Sequence, residues 1–173
     1  MATVRMVKAA LLAPVTGVEA QLDAFLYDGT DTRPEALAAV LDPTADDAVV
    51  TQQGILDWPI LVVTAEQPTT LHGQGVTGGY FDAPNLLVSV AYATRDTAEP
   101  ARAWRDTDYT LRAIALALDA GLFASAAGAA RVRGSVQIVK RNSMTYGPIN
   151  LSVPGGKVTG AVLLDLYVRD TTR

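Results

Sequence analysis

Apolar positions near the start of the chain keep a helical period. Val4, Val7, Leu11 and Leu12 recur at helical spacing until Pro14 interrupts them. Thr16-Gly17-Val18-Glu19 has the form of a capping box, and Val18, Leu22, Phe25 and Leu26 continue a second stripe up to Asp28-Gly29. Thr32 then predicts the cap of a shorter helix, with Pro34 in its first turn, Leu37, Val40 and Leu41 on one face, and Asp42-Pro43 closing it. Residues 1–47 thus read as a helical N-terminal segment.

The period then changes. Trp58 to Thr64 and Asn85 to Thr94 are rich in Val, Ile, Leu and Tyr at strand length. Gln67 to Ala83 between them carries Gly73, Gly75, Gly78 and Gly79 and reads as a long glycine-rich connection. From Thr97 to Ala120 the helical period returns. Trp104, Leu111, Ile114 and Leu118 form the stripe, Thr107 fills its gap, Pro100 suits the first turn, and Gly121 stands where a C-cap glycine belongs. Arg102 with Asp106, and Asp108 with Arg112, are i,i+4 pairs on the other face. Arg131 to Arg141 and Lys157 to Arg169 alternate like the arms of a hairpin, joined by Asn142 to Gly156, which reads as a second long connection.

These elements predict one α+β domain over residues 1–173, with a sheet-plus-helix core over 54–170. The sheet is expected to be mixed and largely antiparallel, with helices packed on one face, a long loop and a long C-terminal β-hairpin. Trp104, Leu111, Ile114 and Leu118 should be buried against Val136, Ile138, Val162, Leu164 and Leu166.

Composition narrows the chemistry. The chain has 173 residues, 49% of them hydrophobic and 18% charged, which suits a globular protein with a core of its own. A net charge of −4 argues against sequence-independent nucleic-acid binding, and no sequence-specific nucleic-acid partner is expected. No apolar run approaches the ~20 residues of a membrane helix, so no membrane partner is expected, and the N-terminus lacks the pattern of a signal peptide. The absence of cysteine removes disulfides and thiol nucleophiles, and a single histidine, His72, removes any two-histidine metal site.

The short motifs fail on context. Gly73-Gln74-Gly75-Val76-Thr77-Gly78 matches GxGxxG, but a strand rather than a helix follows, so no N-terminal helix dipole meets a pyrophosphate. Gly155-Gly156-Lys157 lacks the earlier glycine of a P-loop, because Leu151 stands there, and Val158 replaces the Ser or Thr. Asp42, Asp46 and Asp47 lack calcium-loop spacing and read as a solvated acidic loop. His72 has no neighbouring nucleophile motif and reads as a loop histidine. The expectation is therefore a protein without catalytic residues, cofactor or metal. Arg131, Arg133, Lys140, Arg141 and Lys157 form a basic patch on the hairpin. It reads either as a guarded sheet edge or as a docking surface for an acidic partner.

Leu56-Asp57-Trp58-Pro59-Ile60-Leu61-Val62-Val63, the glycine-rich excursion into Leu87-Val88-Ser89-Val90-Ala91-Tyr92, the helix bearing Asp108-Tyr109-Thr110-Leu111-Arg112-Ala113-Ile114 and the final Leu166-Tyr167-Val168-Arg169-Asp170 together resemble the tail terminator proteins of long-tailed bacteriophages. The likeness runs over about Gly54 to Asp170 and lies in order and texture. It implies a structural virion protein without catalytic residues. Such a protein caps the head-proximal end of the tail tube as a ring, commonly a hexamer, with the tube protein and the head completion or neck proteins as partners. It implies assembly in the host cytoplasm. The two long connections would then order between subunits, burying Leu71, Tyr80, Phe81, Met144, Tyr146 and Ile149, while Arg131, Arg133 and Lys140 meet acidic groups of a neighbour. The alternatives from the residues themselves are a generic α+β adaptor or binding domain, and a small-ligand or nucleotide-binding enzyme using the glycine-rich loop and His72.

Overall fold

The computed structural model describes residues 2–43, 57–66, 85–95, 99–123, 132–133, 136–153 and 155–170. Its helices are α1 (Ala2–Leu11), α2 (Val18–Ala24) and α3 (Pro100–Leu118), the last running on into a π-helical turn, Asp119–Phe123. Its strands are β1 (Ala39–Leu41), β2 (Ile60–Glu66), β3 (Asn85–Thr94), β4 (Val132–Arg133), β5 (Val136–Val153) and β6 (Gly156–Asp170). They form one six-stranded sheet in the order β1-β2-β3-β6-β5-β4. β1 pairs parallel to β2 and every other pairing is antiparallel, so the fold is α+β with a mixed, largely antiparallel sheet.

The three helices share one core with one face of the sheet. Val4, Val7 and Leu11 of α1, Val18 and Leu22 of α2, and Leu111, Ile114 and Leu118 of α3 meet Leu61 and Val63, Val88, Val90 and Tyr92, and Val162, Leu164 and Leu166. Strand alternation sends Ile60, Ala93 and Val158 to the other face, where a smaller cluster forms with Trp58, Leu41 and Val153. α3 lies close on β6. A Cβ at Gly160 would stand 2.7 Å from Leu111 Cδ1 and 2.9 Å from Thr107 Cγ2, so a side chain there would force these two to shift.

Several sequence expectations are corrected. Thr32 caps no helix. Residues 32–38 carry no regular structure, and Ala39–Leu41 is a strand. The reason lies in the amides: Leu37 N–H donates to Glu19 Oε1 at 2.7 Å and Ala38 N–H to Pro59 O at 2.8 Å, while Val40 turns into the core. Glu19 is consequently not the reciprocal half of a capping box, and Gly17 stands at the N-cap of α2 without a side-chain cap. Gly121 is not a C-cap. It lies inside the π-helical turn, where a Cβ would come within 2.5 Å of Ala10 Cβ, so its smallness serves the packing of α1.

The largest correction concerns Asn142 to Gly156. This stretch is strand, not loop: β5 runs on to Val153, paired with β6 as far as Val153 opposite Gly156. Gly155, at φ +78°, makes the turn. Pro148 is accommodated because the β5–β6 register shifts between Pro148 and Leu151. The other long connection, Gln67 to Ala83, lies outside the described residues, as does His72.

Candidate functional site

Two features stand out around the N-terminal end of α3 and the end of the hairpin. The first is a pair of adjoining depressions. A groove of about 120 Å3 is lined by Trp104, Ile149, Asn150, Thr94, Arg95 and Lys157, with Pro100, Ala103 and Thr159 behind them. Beside it a cleft of about 550 Å3 is lined by Trp58, Tyr92, Glu35, Arg102 and Asp106. Thr94, Arg95 and Ala103 belong to both.

Trp104 was expected in the core. It is instead 52% exposed, although Leu111, Ile114 and Leu118 of the same stripe are buried. Thr107 takes the buried place one turn on, with its hydroxyl 2.6 Å from Ala103 O and 2.8 Å from Thr159 Oγ1. That contact seats the first turns of α3 on β6 and leaves the indole beyond the sheet's covered area, as a groove wall.

The cleft is polar and internally balanced. Arg102 Nε lies 3.7 Å from Asp106 Oδ2, and Arg105 Nε lies 3.8 Å from Asp106 Oδ1. Burial raises the Asp106 carboxyl above its ordinary value, and the two guanidiniums oppose that shift without cancelling it. Tyr92 is buried under α3. Its phenol is pushed up to about 12 by burial, against the hydrogen bond with Thr110. A phenol so high stays neutral and cannot serve as a base at neutral pH. Among the described residues no group of three acidic, histidine or cysteine side chains could hold a metal ion. No helix among them is long and apolar enough to cross a membrane. Asp42, expected in a solvated acidic loop, is buried at the end of β1, while Asp46 and Asp47 lie outside the described residues.

The second feature is the outer edge of β5. β4 covers only Val136 and Gln137, and among the described residues no strand pairs with the edge from Thr145 to Val153. From Asn142 to Val153 the sequence holds no charged side chain. Tyr146 (50% exposed), Ile149 (41%) and Leu151 (58%) stand out from it. Natural edges are usually blunted by lysine, by shortness or by a cover. Pro148 and the irregularity beside it interrupt this one once, and no charge does.

The predicted interface residues divide accordingly. Tyr146 and Ile149 are exposed on β5, whereas Met144 is only partly exposed and packs against the core. Leu71, Tyr80, Phe81 and Arg131 lie outside the described residues, and Arg133 and Lys140 are placed only as backbone positions in β4 and β5. Sequence reasoning missed Trp104, Leu151 and Leu26, the last of which is 94% exposed just after α2. A signal for Leu26 was present: it sits beside Asp28-Gly29, past the point where its stripe has a helix to belong to.

Comparison with protein-family models gives no match, and comparisons with curated proteins and with solved structures give none either.

Proposed function

We propose that this chain is a structural subunit of a long-tailed bacteriophage virion, forming a ring, a hexamer as the resemblance implies, that caps the head-proximal end of the tail tube and joins it to head completion or neck proteins. The observation that supports this reading is the long, uncharged outer edge of β5 with Tyr146, Ile149 and Leu151 exposed along it. An edge of that kind invites pairing with another chain. A subunit that assembles has a use for it.

The test is capping of purified tail tubes. Wild-type protein should be found at one end of the tubes by negative-stain microscopy, and Tyr146→Lys with Leu151→Lys should reduce occupancy at least tenfold while the variant still melts cooperatively. Equal occupancy by wild type and variant would remove the edge from the argument, and failure of the wild type to bind tubes would remove the reading.

A second reading, a small-ligand-binding domain, is favoured by one observation: the cleft beside Trp58 and Tyr92 has a volume of about 550 Å3, within the usual range for ligand sites. Ligand-dependent shifts in melting temperature separate it from the first.

A further inference from the structure

α3 has a knob on one flank and a hole on the other. The knob is the chain just after α2. Residues 25–28 carry no helix or strand, and their side chains alternate, Phe25 and Tyr27 inward, Leu26 and Asp28 outward. Phe25 packs against the core, and Tyr27 meets the Tyr109 ring edge-on at 4.9 Å between centroids. Leu26 is 94% exposed and Asp28 is exposed beside it. The segment is held firmly from below. Asp31 N–H donates to Asp28 O at 2.9 Å across a turn in which Gly29 has φ +59°. Asp31 is pinned in turn by Arg105 at 2.7 Å and by the Tyr109 hydroxyl at 3.2 Å.

The hole is the groove of Trp104, Ile149, Asn150, Arg95 and Lys157. At 3.6 residues per turn, the Arg105–Tyr109 side of α3 that carries the knob lies roughly 160° around the helix from the Ala103–Thr107 side that faces the groove. One subunit therefore shows the knob and the hole on opposite flanks, and it cannot dock them on each other.

We infer that Leu26 and Asp28 of one copy dock into the Trp104–Ile149 groove of the next. The match is one of size and of charge. An apolar cavity of about 150 Å3 takes a benzene ring, so a groove of about 120 Å3 suits the four carbons of a leucine side chain. Lys157 in the groove lining suits the carboxylate that follows Leu26 at the next outward position. The alternative of two grooves meeting about a two-fold axis would bring Lys157 toward its own copy, like charge to like. Because knob and hole are different surfaces, the contact is head-to-tail and repeats from copy to copy, closing into a ring when the rotation allows. The inference rests on the ring reading only for its setting, since the contact is defined by this chain alone.

The absence of cysteine makes the test direct. Leu26→Cys and Ile149→Cys are prepared as single variants and mixed under mild oxidation, with Asn150→Cys as the replacement hole variant should Ile149→Cys fail to fold. The mixture should give at least tenfold more disulfide-linked dimer than either variant alone, and a chain carrying both substitutions should give a ladder of linked oligomers. Adding Asp28→Lys to the knob variant should cut the yield at least fivefold, and Lys157→Asp in the hole variant should restore it. Linkage within one variant alone that equals the mixture, or a yield indifferent to Asp28→Lys, overturns the inference. Tube capping without this linkage would sink the contact and leave the ring reading standing; linkage without tube capping would do the reverse.

Discussion

The sheet ends in two edges that solve the same problem in opposite ways. At one end β1 is three residues long, held by a parallel pairing to β2 and by the segment that leads into it. That segment is tied down by charge: Arg33 bridges Glu19 and Asp23, and Glu19 also accepts the Leu37 amide. At the other end β5 is eighteen residues long, and from Asn142 to Val153 it carries no charge at all. A short strand braced by a salt-bridged strap leaves little for another chain to pair with; a long uncharged one leaves a great deal. The difference teaches that, among the described residues, the β1 end is closed by the subunit's own contacts while the β5 end keeps an unpaired, uncharged edge.

Truncation at the two ends should therefore differ most. Leu22→Ala, beneath the strap in α2, should destabilise by about 2–5 kcal/mol in a denaturant titration, because the side chain is fully buried. Leu151→Ala on β5 should change stability by no more than about 0.5 kcal/mol. Comparable losses from both would break the comparison.

A pH ramp examines β3, which lies between the two ends. Burial holds the Tyr92 phenol at about 12 in the folded chain, whereas an unfolded tyrosine titrates near 10. The stabilisation is complete below the unfolded value and is lost as pH rises toward the folded one, roughly 3 kcal/mol in all. Stability should fall between those two values in wild type and much less in Tyr92→Phe. Probes placed at β1 and at β5 should report the same alkaline transition, since both ends depend on one core.

The strap itself should contribute less than the core. Its side chains are partly solvated, so Glu19→Ala should cost only about 1 kcal/mol. The Leu37 amide should nevertheless lose its hydrogen-exchange protection by a larger factor than any amide of β6. Uniform loss across both strands would mean that the strap supports the whole sheet and not its β1 end.

Much of the fold was legible. β3 was read at its observed ends, and α3 with its Arg102–Asp106 and Asp108–Arg112 pairs followed from helical spacing alone. What misled was anything decided by a distant partner. Leu37, Val40 and Leu41 have helical spacing, but a carboxylate eighteen residues upstream and a strand not yet made take the backbone instead. Pro148, Pro154 and the pair Gly155-Gly156 suggested a loop after Asn142, because turn residues look alike whether they end a strand or merely bend it. The groove was hidden for a related reason. Trp104 fits its stripe, and only the place where the sheet stops decides that the indole overhangs.

The chain holds only two tryptophans, and the fold gives them unlike surroundings. Trp58 packs in the smaller cluster against the hairpin tip, so close that a Cβ at Gly156 would overlap its ring at 2.4 Å. Trp104 stands in the groove facing solvent. The protein consequently carries its own pair of optical reporters. The half-buried Trp58 indole should meet a dissolved quencher such as iodide more slowly than Trp104, which is quenched readily until something fills the groove around it.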